Sequence, residues 1–321
     1  MVQRTLIRRF LPVVALLFAL HASAQTDAAL THQLQSMIQG FHGKVALYAT
    51  DLATGKTAAI NADEPVPTAS VIKLGVLYTA LEQIRAGKAH FDDQLTLTKP
   101  DQVPGSGVLL FFDTPLHLTL KDALTLMIAE SDNTATNLVT DHLGLKAIDD
   151  ELTAPPPQGL GLKNTFLYKK VFRPAEGPMP ADQPRFGLGK TTPREMASIM
   201  ERFATCNLGP APVAGSAGVP SDQDLCHAVI HMLKVQSDRE MIPRYLEKLD
   251  TTEGESAIGD KIGTLDHVRN DVAVVYTKHG TLILSEFSYD NADTSWTADN
   301  EAELLLARLA KTIVDAWVPG S

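Results

Sequence analysis

Residues Thr68 to Gly87 read TASVIKLGVLYTALEQIRAG, and the interpretation of this stretch decides the fold. Apolar residues run almost all the way round its first turns (Val71, Ile72, Leu74, Val76, Leu77, Tyr78, Ala80 and Leu81), which predicts one long helix in a core rather than on a surface. Lys73 is the only charge before Glu82. An unpaired ammonium is costly to bury, and a cation near a helix N-terminus meets the positive end of the macrodipole. Packing alone would place leucine or alanine there. Ser70 and Lys73, three residues apart, share one helix face, so the amine can reach the hydroxyl. Ser70 is thus a candidate nucleophile and Lys73 its activator. Serine is equally a favoured N-cap, and a Ser-x-x-Lys match alone decides nothing.

Moving outward toward the N-terminus, KVALYAT (44–50) and KTAAIN (56–61) read as a strand pair joined by the turn Asp51-Leu52-Ala53-Thr54-Gly55. THQLQSMIQG (31–40) precedes them as a short amphipathic helix. Residues 1–24 have the form of a secretory signal. Arg4, Arg8 and Arg9 make a basic start, Phe10 to Leu20 an apolar core, and Ala22-Ser23-Ala24 a small-residue cleavage site. The apolar run is too short to span a bilayer comfortably, so an exported, periplasmic protein without a stable membrane anchor is expected. The 321 residues carry 28 Lys and Arg against 38 Asp and Glu, and losing the leader's three arginines leaves the chain more acidic still. Such a surface has no basic stripe for nucleic acid or anionic membrane.

Toward the C-terminus, the strand signal fades between Phe91 and about Leu249. Capping patterns open helices at Thr119/Asp122, at Thr192-Pro193 with Glu195, and at Ser221/Asp224, and a break falls at Ser131-Asp132-Asn133. Residues 154–190 hold seven prolines and little periodicity, the mark of a long loop. Strands return at 261–264, 271–277 and 281–289, and a helix over 300–318 presents Ala302, Leu305, Leu306, Leu309, Ile313 and Trp317 on one face. The fold class this predicts is α/β (α+β): an antiparallel sheet with flanking helices, built from about 28–88 and 257–319, and an inserted all-helical lobe over about 89–256.

Cys206 and Cys226 are the only cysteines, and an even pair in an exported chain predicts a structural disulfide closing a Pro/Gly/Ala-rich loop. His227 and His231 have the i, i+4 spacing of zinc ligands, but no glutamate directly follows the first and no third ligand is evident, so no metal or other cofactor is expected.

Three motifs now stand in order: Ser70-Val71-Ile72-Lys73, Ser131-Asp132-Asn133 at a helix break, and Lys261-Ile262-Gly263-Thr264 at a strand start. With this lobe layout, the chain resembles the class A serine β-lactamases and their penicillin-binding relatives, whose signature this motif set is. The likeness extends to PGSGVL (104–109), MIAESDNTATNLVTDHLG (127–144), GKTTPREMA (189–197) and KIGTLDHVRNDVAVVY (261–276). The resemblance implies a serine β-lactamase, expected to be a monomer, that hydrolyses a small β-lactam through an acyl-enzyme. The alternative is a D-alanyl-D-alanine peptidase or penicillin-binding-type hydrolase with slow deacylation, acting on a D-Ala-D-Ala-type substrate. Ser70 would form the acyl-enzyme, Lys73 would take or relay its proton, and Ser131 would pass a proton to the leaving nitrogen. Asn133 would hold the substrate's amide side chain, and Lys261 would supply positive potential for its carboxylate. The backbone N–H groups of Ser70 and Thr264, with Gly263 between that threonine and Ile262, would form the oxyanion hole. Asp132 is expected to fold its own loop.

Two departures qualify the likeness. Ile262 stands where the family usually has threonine, and Thr264 or Arg269 is expected to compensate in binding a carboxylate. The family's loop segment Glu-x-x-Leu-Asn, which carries the base for deacylation, is absent. Glu176, 17 residues before Pro193, matches its spacing and is the candidate base. Without such a base the acyl-enzyme would persist, as in a penicillin-binding protein.

Overall fold

The computed structural model describes residues 25–209, 219–250 and 256–319. The expected leader, 1–24, lies outside these residues. A six-stranded sheet runs in the order Gln25–Thr26, Lys56–Ile60, Lys44–Asp51, Gly280–Tyr289, Val268–Thr277 and Ile258–Leu265. Its neighbours are antiparallel apart from the short first strand. Its central strands are apolar on both faces because both are covered. On one face, Leu47, Ala273 and Leu284 pack with Leu30 and Leu34 of the Ala28–Met37 helix and Leu305, Leu309 and Ile313 of the Glu301–Trp317 helix. On the other, Ala46, Val274, Ile283 and Phe287 join a larger core with the Lys73–Arg85 and Pro193–Thr205 helices.

The Lys73–Arg85 helix is buried on every side, as its all-round apolar pattern requires. Around it stand the helices Leu120–Ala129, Asn133–Leu143, Leu145–Thr153 and Asp222–Lys234. Gly75, a poor helix former, lets one of them close in: a Cβ there would lie 3.0 Å from Leu152 Cδ1. At the helix end Arg85 is buried but satisfied, bonding Glu82, Asp222 and the Leu208 carbonyl. Cys206 and Cys226 form the expected disulfide, with Cα atoms 5.6 Å apart, joining the Pro193–Thr205 helix end to the Asp222–Lys234 helix.

Two details differ from the sequence reading. The long helix is divided: Ala69–Ile72 is a 3₁₀ turn, and the α-helix begins only at Lys73. The middle of the chain also contains short ladders, Gln94–Leu97 with Leu116–Thr119, and Val66–Pro67 with Gly189–Thr191 and Phe166–Leu167. Strands of two to four residues leave almost no alternation to detect. The proline-rich loop is pinned rather than free. Asn137 brackets Val171, accepting from its N–H at 2.8 Å and donating to its carbonyl at 2.9 Å. Glu195 accepts from the backbone of Lys163 and Asn164 and from the Thr165 hydroxyl.

Candidate active site

The site is assembled where the Ser70 turn, the break before the Asn133–Leu143 helix and the Ile258–Leu265 strand meet. Ala69 has a φ of +43°, a left-handed conformation that strains a non-glycine residue, and Ser70 follows it half-buried. Gly263 explains how close the strand comes. A Cβ there would sit 2.6 Å from the Thr68 carbonyl and 3.0 Å from Ser70 N, so only glycine lets the strand backbone rest on the turn.

Lys73 is completely buried at the first helical position. Its Nζ donates to the Ser131 carbonyl at 2.6 Å, to Ser131 Oγ at 3.1 Å and to Asn133 Oδ1 at 3.1 Å. None of these bonds goes to Ser70 Oγ. Burial holds the amine well below the ordinary lysine range, the cation of Lys261 pushes it the same way, and Asp132 pulls it back in part.

Asp132 caps the Asn133–Leu143 helix through Ala135 N at 2.8 Å, and its other oxygen accepts from Val108 N and Leu109 N at 2.7 and 2.8 Å. A Cβ on Gly107 would overlap that carboxylate at 2.3 Å, which accounts for the glycine. Asn133 donates through its backbone to the Ser106 carbonyl and through Nδ2 to the Pro104 carbonyl. The 104–109 segment is thereby fixed beside the helix break.

Lys261 is also completely buried and donates to the Ile262 carbonyl at 2.9 Å; burial lowers its pKa to about 8 against the opposing pull of Asp260, Asp271 and Asp238. Thr264 is half-buried and pairs with Arg269 across the ladder. Sequence reasoning missed Asn270, whose Nδ2 donates to the Pro67 and Thr68 carbonyls at 2.9 and 3.1 Å and ties the Ser70 turn to the sheet. The Arg269-Asn270-Asp271 run leading into the apolar strand was the available signal.

The other two candidates sit elsewhere. Glu176 is exposed, its Oε1 2.9 Å from Lys170 Nζ, which also bonds Asp141. Arg269 is buried, bonded to Glu303 at 2.7 Å, to the carbonyls of Leu265, Val268 and Ser295, and packed on the Trp296 ring. Its donors are committed to the fold.

An antiparallel sheet, an inserted helical lobe and these three motifs at their junction define the serine β-lactamase and penicillin-binding superfamily. More narrowly, the beta-lactamase enzyme family model matches residues 29–317, and the chain belongs to that family. Beta-lactamase VEB-1 of Pseudomonas aeruginosa is 25% identical over 143 residues, covering 43% of this chain and 48% of that protein. The chain thus spans about half the length of the curated relatives it matches. The solved β-lactamase of Sphaerobacter thermophilus DSM 20745 is 28% identical with a TM-score of 0.70, covering 90% of this chain and 95% of that one. The structure of PBP-A, 19% identical, shares the fold with a TM-score of 0.71 over 92% of this chain and 97% of its own.

Proposed function

We propose that the protein is an exported, monomeric serine hydrolase that opens β-lactams through an acyl-Ser70 intermediate, with deacylation as its slow step. The observation that carries this reading is Lys73, buried beside the Ser70 turn and tied to Ser131 and Asn133. A lysine whose burial favours the neutral amine can accept the Ser70 proton. Ser70 Oγ then adds to the lactam carbonyl, whose oxygen is held by the N–H groups of Ser70 and Thr264, a type of contact worth about 3 kcal/mol per donor. The C–N bond breaks as Ser131 gives its proton to the nitrogen. Asn133 orients the substrate amide and Lys261 its carboxylate.

Slow deacylation follows from what surrounds the site. Glu176 is exposed and paired with Lys170, and the hydrogen bonds of Lys73 go to no carboxylate. The same observation favours a second reading, a D-alanyl-D-alanine peptidase that β-lactams acylate. Intact mass followed after mixing with excess penicillin tests both, beside a Ser70→Ala control. The expected result is a stoichiometric adduct on the wild type alone that clears slowly to free protein and hydrolysed product. Rapid turnover without an adduct would reject slow deacylation. No adduct and no turnover would reject the β-lactam reading, and release of D-alanine from a D-Ala-D-Ala peptide would support the second.

A further inference from the structure

Three carboxyl groups lie fully buried on the sheet face turned away from Ser70: Asp260, Asp271 and Glu286. The register puts them together. Asp271 stands opposite Ile262 on one side and Glu286 on the other, and Asp260 shares the face of Ile262, two residues along its strand. Asp260 Oδ1 pairs with Arg239, and Asp271 Oδ2 accepts from Ile242 N at 3.0 Å. Asp260 Oδ2, Asp271 Oδ1 and both oxygens of Glu286 have no hydrogen-bond partner. Such a concentration of buried acid requires a reason, since buried carboxylates are costly unless paired.

Lys261 supplies one. It points to the opposite face, toward the Ser70 turn, and its hydrogen bond goes to a carbonyl rather than to a carboxylate. Lys73, on the helix in front of it, is held toward the neutral amine by burial and offers it no counter-charge. The acidic groups that raise Lys261 stand behind or beside the strand: Asp260, Asp271 and Asp238. The remaining charges packed on the acidic face are already matched. Arg239 is shared between Asp250 and Asp260, and Glu303 of the C-terminal helix is taken by Arg269.

We propose that Asp271 is a positioning residue for the reaction: from the far face of the sheet it provides the negative charge that keeps Lys261 an ammonium ion for a substrate carboxylate. Glu286, opposite Asp271, carries the proton that prevents two adjacent buried anions. Burial, and then Asp271, raises both Glu286 and Asp260 well above the carboxylate range, whereas Asp271 is raised only to about 7. The use made of Lys261 rests on the function proposed above; the coupling across the sheet does not.

The test follows the Lys261 ¹³Cε resonance of full-length protein labelled at lysine, assigned by its loss in Lys261→Arg. The Asp271→Asn variant should lower the Lys261 titration midpoint by about one pH unit. Acylation by a penicillin at pH 8 should fall about fivefold, while acylation by its methyl ester is unchanged. Glu286→Gln, which replaces a neutral acid with a neutral amide, should leave the midpoint in place. An unmoved midpoint in Asp271→Asn, or an equal shift in Glu286→Gln, overturns the proposal. If Asp271→Asn does not fold, Asp271→Ser takes its place, with the same lowering of the midpoint expected and an unmoved midpoint overturning the proposal. Because the resonance needs no β-lactam, an enzyme inert to penicillin would refute the function and leave the coupling standing.

Discussion

Lys73 Nζ donates to the backbone carbonyl of Ser131 at 2.6 Å, so the amine that would activate the nucleophile also fastens the helix of one motif to the helix break of the next. Ser131 is itself in a left-handed conformation, with φ +51°, which turns its carbonyl and hydroxyl to the same amine. Lys73→Met keeps the volume and removes the proton acceptor. Its acylation rate, measured by stopped-flow with a chromogenic cephalosporin, should drop about 10³-fold, far more than the modest fall in melting temperature expected from the lost bonds to Ser131 and Asn133.

Glu176 should be dispensable. Its ion pair with Lys170 is exposed, and pairs of this kind contribute about 0–1 kcal/mol. Glu176→Gln should change the deacylation rate less than twofold and unfolding in urea by no more than about 0.5 kcal/mol. A large fall in deacylation would restore it as the base.

Arg269 should matter for stability rather than for substrate. Removing it leaves the half-buried Glu303 without its cation and three carbonyls without their donor. Arg269→Ala should cost about 3 kcal/mol or more in equilibrium unfolding. Lysine should not rescue it, since one ammonium cannot reproduce the planar fork.

Gly263→Ala addresses the contact between the strand and the Ser70 turn. Its Cβ would press on the Thr68 carbonyl at 2.6 Å and displace the backbone that faces Ser70. Acylation should fall about 10²-fold or more, the scale of a lost oxyanion donor, with near-wild-type circular dichroism.

Stability should pass through a minimum near pH 7 to 8. Burial raises Asp149 to about 6 and Glu151 and Asp271 to about 7, so the native state keeps protons that the unfolded chain releases near pH 4. The stability these groups contribute is lost as pH rises from about 4 to 7. Lys261 behaves oppositely: its folded pKa of about 8 lies below the unfolded value, so stability is regained from about pH 8 toward 10.5. Melting temperatures across pH 5 to 10 should trace this trough, and Asp271→Asn should make its acid side shallower.

What the sequence disclosed follows the range of the interactions. Ser70, Lys73, Ser131, Asn133 and Lys261 were readable because each sits in a short motif at a capped helix end or strand start. The capping residues Thr119, Thr192 and Ser221 were readable for the same reason, since each bonds a backbone N–H three residues away. Asn270 was not. Its partners, Pro67 and Thr68, lie some two hundred residues earlier, and only the folded sheet brings them together. Spacing along a loop likewise says nothing of where a side chain points, and Glu176 turns out toward Lys170. Arg269 pairs with a helix whose packing no local pattern encodes.

The sheet closes by pairing Ala46, near the start of the chain, with Phe287, near its end. A polypeptide made from its N-terminus therefore holds Ser70 and Lys73 long before it owns the strand that carries Lys261 and Gly263. The slow, entropically expensive joining of the two ends comes last. On the proposed function, reactivity toward a β-lactam should thus report completed synthesis: a chain truncated before the Ile258–Leu265 strand would contain Ser70 and Lys73 without the strand that completes their site.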